Sequence, residues 1–240
     1  MGEAWGALLP EGGRVTLYAL QDDAIQMHDF ASSEDAAGSC GIAPGRLITL
    51  DPAQRSAPPT AILPAELSAL GALQQAAPAA VLPPEVRILI AGALTAQPDW
   101  DGIMLLPEVE VTHWVHVSAR EVVSFQGAAT GRLAAALGAS GAEFDEGALG
   151  DTMSRPERLA AQLNAAALTQ DVPAILGHLL GAELAAMRPY WLGQEVRIIG
   201  PAAPYAPALA LQGVIAEAVP RSEAWHAGLR ALGRSAGLGD

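Results

Sequence analysis

Metal, nucleophile and anion chemistry each need particular side chains at particular spacings, and this chain offers few such sets. His113 and His116 lie three apart in the β-branched run 111–117. On a strand that spacing sends them to opposite faces, which excludes them as joint metal ligands. His178 and Glu183 lie five apart in a helical pattern, a poor spacing for a single site, so these three histidines are read as single satisfied or solvent-facing residues. Ser39, beside Cys40 and Gly41, has no His and Asp pattern nearby, which gives a hydrolase reading little support. Asp22-Asp23 and the group Glu143, Asp145 and Glu146 would either bind a cation or solvate turns, and the turn reading is preferred. Trp191, after Arg188-Pro189-Tyr190, reads as a base-stacking platform or as a core or dimer anchor. Gly200 ends a β-branched run and opens a helix, where backbone N–H groups either receive an anion or close a capping turn.

Composition removes further chemistry. All 13 basic residues are arginine, so no lysine is present to serve a P-loop, a Schiff base or general-base catalysis. The net charge of −13 argues against nucleic acid, whose binding relies on neutralising phosphates. Cys40 is the one cysteine, which excludes an internal disulfide and a cysteine metal cluster. No stretch has the length of uncharged apolar sequence needed to span a bilayer, and the acidic opening Met1-Gly2-Glu3-Ala4-Trp5 does not resemble a secretory signal. The expectation is a soluble cytoplasmic protein that binds no membrane.

An internal repeat shows which elements position these residues. Leu8-Leu9-Pro10-Glu11, then Val15-Thr16-Leu17-Tyr18 and a polar break at Gln21-Asp22-Asp23, is matched by Leu105-Leu106-Pro107-Glu108, then Val111-Thr112-His113-Trp114 and a break at Ser118-Ala119-Arg120. The offset is 97 at the leucines and 96 at the Val-Thr pair, which a one-residue gap reconciles. Each copy reads as a three-strand meander followed by an alanine-rich helix, at 31–37 and 128–137. Residues 39–84 read as a loose connection around one helix at 64–75, and 86–90 as a buried strand. Beyond 101 the pattern gives strands at 103–106, 111–117 and 121–125 and helices at 155–167 and 172–187. A strand at 196–199, a helix at 204–212, a strand at 214–218 and a helix at 222–232 complete it. This order matches a ribonuclease H-like half. The expected fold is therefore α/β, with duplicated ribonuclease H-like halves of 1–100 and 101–240 in an actin-like ATPase (sugar kinase) architecture and a cleft between them.

Five segments in order resemble the 2-dehydro-3-deoxygalactonokinase family. Trp114-Val115-His116-Val117 resembles its Lys-Trp-Val strand, and Thr130-Gly131 its Met-Thr-Gly-Glu. Leu179-Leu180-Gly181-Ala182-Glu183-Leu184 is similar to Gly-Leu-Leu-Ile-Gly-x-Glu. Ile198-Ile199-Gly200 with Ala203 and Tyr205 is similar to Gly-Ser-x-x-Leu-x-x-x-Tyr, and Ala227-Gly228-Leu229 to the family's ending. The resemblance implies transfer of the γ-phosphate of ATP, with magnesium, to the 6-hydroxyl of a 2-keto-3-deoxy sugar acid. It implies nucleotide against Gly200, Ala203, Thr130 and Gly131, and substrate against Arg132 and Trp114.

The departures fall on the phosphate motifs. Ala4-Trp5-Gly6-Ala7-Leu8 stands where the family has Asp-Trp-Gly-Thr-Thr, losing the acid expected to hold magnesium. Val109-Glu110-Val111-Thr112-His113 stands for Gly-Thr-His-Ser-Lys, Arg132 replaces a glutamate, and no Arg-Gly-Glu-Glu-Thr segment is found. Glu11, Asp101 and Glu108 are the nearest remaining carboxylates, no metal ligand set is assigned, and the catalytic residues are unknown. Removing a single transition-state donor costs roughly 3–4 kcal/mol, so the expectation is weak or absent catalysis. A non-catalytic binding or regulatory relative is the alternative, and a homodimer is left open.

Overall fold

The computed structural model describes residues 3–239 apart from 23, 66, 140 and 142, so the Asp23 half of the Asp22-Asp23 pair lies outside the described residues. The chain divides into two compact units. The first comprises Met1–Asp99, Arg120–Val122 and Ser222–Asp240; the second comprises Trp100–Ala119 and Val123–Arg221. The C-terminal helix thus clusters with the first unit, whereas the sequence reading placed it in the second half.

The first unit opens with β1 (Trp5–Glu11), β2 (Arg14–Gln21) and β3 (Ala24–Phe30), and continues through α1 (Ser33–Ser39) to β4 (Leu47–Ser56). Then come β5 (Thr60–Ala61), β6 (Ala69–Gln75), β7 (Ala80–Leu82) and α2 (Pro84–Ala93). The second unit holds β8 (Gly102–Pro107), β9 (Thr112–Ser118), β10 (Glu121–Ala128, whose first two residues cluster with the first unit), α3 (Thr130–Ala136), α4 (Glu146–Ser154), α5 (Leu159–Leu168), α6 (Val172–Ala186), α7 (Arg188–Trp191), β11 (Val196–Ile199), α8 (Tyr205–Ala210) and β12 (Glu217–Val219). The last helix, α9, is Arg221–Ser235.

The duplication is present down to the register. Among the described residues one sheet runs β3-β2-β1-β4-β6-β7 and the other β12-β11-β8-β9-β10-β5, so a meander extended by two parallel strands occurs in each. Leu8 pairs antiparallel with Leu17 and Leu105 with Trp114. Both strands of the hairpin are therefore displaced by 97, since 105 − 8 and 114 − 17 agree. Pro10 faces Val15 and Pro107 faces Thr112, so the one-residue gap inferred from the Val-Thr match does not exist in the hairpin. On their other sides β1 pairs parallel with β4 and β8 with β11. These are two ribonuclease H-like halves of the actin-like ATPase class.

Two segments exchange the secondary structure read from sequence. Residues 64–75 were expected to be a helix, but Ala69–Gln75 form β6, with Leu70, Ala72 and Leu73 buried and parallel pairing to β4. Alanine and leucine favour helix locally, and sheet pairing overrides that preference. Residues 86–90 were expected to be a strand, but they lie inside α2, where every residue from Val86 to Ile90 is buried. A short run buried on all sides carries no periodicity, and Pro84 in the first helical turn was the signal that separates the two. The stretch 39–84, read as a loose connection, holds β4 to β7.

In the first unit α2 and α9 approach so closely that a Cβ on Gly92 would overlap the Ala224 carbonyl oxygen, and one on Gly228 the Ile88 carbonyl oxygen. Arg87, 2% exposed, holds the segment after β5 from below: it donates to the carbonyls of Ile62 and Ala61 at 3.0 Å and to that of Gly71 at 2.6 Å. Burial lowers its pKa to about 10, which leaves it charged at neutral pH. Gly228→Leu is expected to destabilise the protein by about 3 kcal/mol in urea unfolding, because overpacking has no free space to use. Gly150→Ala on α4, where an added Cβ meets nothing within 4 Å, should instead be neutral or stabilising by up to ~1 kcal/mol.

Candidate functional site

Four of the segments that carry the family resemblance meet around one buried carboxylate in the second unit. Helix α6 begins with Asp171, whose side chain accepts from the Ala174 N–H, and Gly177 and Gly181 face α4, where a Cβ would overlap the carbonyl oxygens of Asp145 and Leu149. That packing fixes the helix so that Glu183, 4% exposed, points at β9 and α8. Trp114 Nε1 donates to Glu183 Oε1 at 2.7 Å, and the Tyr205 hydroxyl donates to Oε2 at 2.9 Å. The Thr130 hydroxyl stands near the same carboxylate and helps to lower its pKa. Since the Tyr205 proton is directed to Glu183, the 2.6 Å contact between Thr112 Oγ1 and the Tyr205 hydroxyl has threonine as donor. Burial pushes the Glu183 carboxyl up, against the pull of the donors Thr130, Trp114 and Tyr205. Burial and then the neighbouring Glu183 charge push the Tyr205 phenol well above its ordinary range.

The turn between β8 and β9 lies beside this network. Here the family's Gly-Thr-His-Ser-Lys is replaced, and the Glu108 N–H donates to the Val111 carbonyl at 3.2 Å. Arg221 pairs with Glu108, and Arg132 Nη2 lies 2.6 Å from Glu110 Oε2. Exposed pairs of this kind contribute at most about 1 kcal/mol. The backbone clamp is firmer. The Arg132 N–H donates to the Glu110 carbonyl at 3.0 Å, and Gly131 sits where a Cβ would overlap the Val109 carbonyl oxygen. One amide of the first turn of α3, a natural phosphate donor, is thus already used.

His113 follows the turn at 6% exposure, and its Nδ1 is buried without a hydrogen-bond partner. Burial lowers its pKa to about 4, so the residue at the family's lysine position carries no charge at neutral pH. The adjacent strand positions point to alternate faces, which separates His113 from Thr112 and Trp114.

The other residues singled out by sequence are placed as follows. Gly200 adopts a φ of +110° and spends its N–H on the Val219 carbonyl at 3.0 Å. Ala203 is exposed, whereas Thr130 is 7% exposed and Trp114 has no exposed surface. Trp191 donates through Nε1 to the Leu184 carbonyl at 2.9 Å and is 2% exposed, a core anchor. His178 Nδ1 lies 2.8 Å from Thr152 Oγ1, away from the Glu183 partners, so the two do not share a site. Asp145 caps α4 through the Ala148 N–H at 2.7 Å. Cys40 and Ser39 line an open concavity of the first unit with Gln21, Gln26 and His28.

Trp5 and Gly6 start β1, and the hairpin turn is six residues further on at Gly12-Gly13. Their match to the family's opening therefore puts them at the wrong end of the strand for phosphate contact, and Glu11 is the acid beside the turn. Of the carboxylates held in reserve for magnesium, Asp101 accepts from the Ala119 N–H at 2.9 Å and Glu108 pairs with Arg221, leaving Glu11 exposed at its own turn. Among the described residues no three His, Cys, Asp or Glu side chains form a metal-holding group.

Sequence reasoning named Trp114, Thr130 and Tyr205 one by one but missed Glu183 as the residue that joins them. The available signal was the glutamate itself, in an otherwise apolar helix.

In an NMR titration the His113 ring should stay neutral from pH 8 to 5 and protonate near pH 4. A depressed histidine pKa gives stability that is present above about 6.5 and lost as pH falls toward 4. His113→Phe should flatten the loss of stability in that window; a midpoint near 6.5 would show that the ring is solvated.

Comparison with known families and structures follows the same geometry. The profile of 2-keto-3-deoxy-galactonokinase matches residues 66–232, and no curated protein matches the chain. A solved structure of a protein from Sinorhizobium meliloti bearing the name 2-dehydro-3-deoxygalactonokinase is 20% identical, with a TM-score of 0.75, covering 96% of this chain and 98% of that one. The activator of 2-hydroxyisocaproyl-CoA dehydratase from Clostridium difficile, solved with bound ADPNP, is 11% identical at a TM-score of 0.47, covering 98% and 96%. With the profile spanning most of its length, including Trp114, Thr130, Glu183 and Tyr205, the chain belongs to the 2-keto-3-deoxy-galactonokinase family.

Proposed function

We propose that the protein is a sugar-acid-binding member of its kinase family in which phosphoryl transfer from ATP to the 6-hydroxyl of a 2-keto-3-deoxy sugar acid is weak or absent. The observation that carries this reading is the turn after β8. It presents Glu108 and Glu110, each paired with an arginine, and the lysine position holds a buried neutral histidine. A phosphate arriving there would meet two carboxylates and an amide already bonded to protein, and the nearby cations would have to leave their partners first.

Arg132 is the residue that would recognise the sugar-acid carboxylate, since its guanidinium is exposed and its planar fork suits a carboxylate. Trp114, fully buried, would act through Glu183 instead of touching ligand. Nucleotide, where it binds, belongs against Gly200, Ala203, Thr130 and Gly131. With the Gly200 and Arg132 amides engaged, that edge offers fewer free donors than a phosphate site uses. Family membership itself favours the second reading, an active kinase with ATP and magnesium. Among the described residues no helix is long and apolar enough to cross a membrane, and the acidic balance is unsuited to nucleic acid; we place the protein in the cytoplasm.

A coupled ADP-release assay with magnesium, ATP and 2-keto-3-deoxygalactonate tests this. Turnover is expected roughly a thousandfold or more below the ~10 s⁻¹ typical of enzymes. A rate near that value would establish the active kinase instead.

A further inference from the structure

The same buried carboxylate accepts from the first residue of α8, Tyr205, and lies near the first residue of α3, Thr130. Both helices are short, and neither has a side-chain cap at its start. Something else must hold their first turns, and for α3 the consequences reach the surface. Thr130 is followed by Gly131, pressed on the Val109 carbonyl, and by Arg132, whose N–H is tied to the Glu110 carbonyl and whose guanidinium is tied to the Glu110 carboxylate. Glu183 thus lies beside the start of the short segment that carries Arg132.

The donors around Glu183 are all neutral: an indole, a phenol and a threonine hydroxyl. A buried carboxylate held only by neutral donors is an expensive way to fill a core, and an apolar residue of similar size would fill the same space without desolvating a charge. What the carboxylate provides, and an apolar residue does not, is direction, because its two oxygens draw β9, α3 and α8 to one point.

We propose that Glu183 is a positioning residue that sets the starts of α3 and α8, and through Thr130 aims Arg132 at the carboxylate of a sugar acid. Its meaning for ligand recognition rests on the function proposed above; the positioning itself is a property of the ligand-free chain and is tested there.

The test is residue-resolved amide hydrogen exchange on the ligand-free full chain, comparing wild type with Glu183→Ala and Glu183→Gln at pH 7. The amides of Arg132, Leu133, Ala206 and Ala208, bonded to the carbonyls of Glu110, Ala129, Ala202 and Pro204, should exchange roughly tenfold or more faster in Glu183→Ala. The Ile103 and Leu149 amides, bonded to Glu195 and Asp145, should stay within about threefold. Glu183→Gln keeps an acceptor for Trp114 and offers an N–H to the Tyr205 oxygen, so it should recover part of the protection. Uniform acceleration across the second unit, or none at the four reporter amides, overturns the proposal.

If Glu183→Ala does not fold, Tyr205→Phe removes one arm alone. Acceleration confined to Ala206 and Ala208 supports the inference, and a uniform change or no change overturns it. Where wild type binds 2-keto-3-deoxygalactonate in calorimetry, Glu183→Ala should weaken it roughly tenfold. Where wild type binds no sugar acid, the proposed function falls while the exchange result still decides the positioning.

Discussion

The second unit depends on a carboxylate that has been taken out of water and given only neutral donors. Glu183 is 4% exposed, and its hydrogen bonds to Trp114 and Tyr205, with Thr130 nearby, are what make that burial tolerable. Removing any one donor leaves the charge less satisfied, so strand, helix starts and α6 are tied into one unit. Burial alone would favour the protonated acid, whereas three groups with a proton to give favour the carboxylate. The hydrogen bonds from Trp114 and Tyr205 fix where these side chains sit, and the rest of the candidate site is built outward from them.

Glycine supplies the other constraint. Gly177 and Gly181 let α4 lie on the backbone of α6, Gly131 lets α3 press on the turn after β8, and Gly92 with Gly228 lets α2 and α9 cross closely in the first unit. These contacts have no flexible side chain to give way. They make both units rigid where they are packed, and they account for a family resemblance that survives in small residues and buried polar groups while the surface phosphate motifs have changed.

The duplication was legible because a strand hairpin leaves a short, ordered trace: apolar residues, a proline and an acid before the turn. The structure places those matching residues at identical hairpin positions, Pro10 and Glu11 against Pro107 and Glu108. The strand and helix order after residue 101 was legible for the same reason, although α4 was missed in a stretch of small residues with weak amphipathicity. Residues 64–75 and 86–90 were misread because both are apolar and short, so periodicity could not separate strand from helix and sheet pairing decided the first. Three of these residues, Trp114, Thr130 and Tyr205, were found through resemblance to family motifs; the role of Glu183 as their centre was not, because hydrogen bonding across sequence separations of 22 to 69 residues leaves no local pattern. The state of His113 was equally hidden, since burial on a strand face follows from packing that the sequence does not display.

The proposal of lost phosphoryl transfer rests on the turn after β8 failing to cradle phosphate. Calorimetric titration of the wild-type chain with magnesium-ATP measures this most directly. No saturable heat is expected up to about 1 mM nucleotide, a binding free energy weaker than roughly −4 kcal/mol. A one-to-one isotherm with a dissociation constant near 10 μM, about −7 kcal/mol, would contradict it.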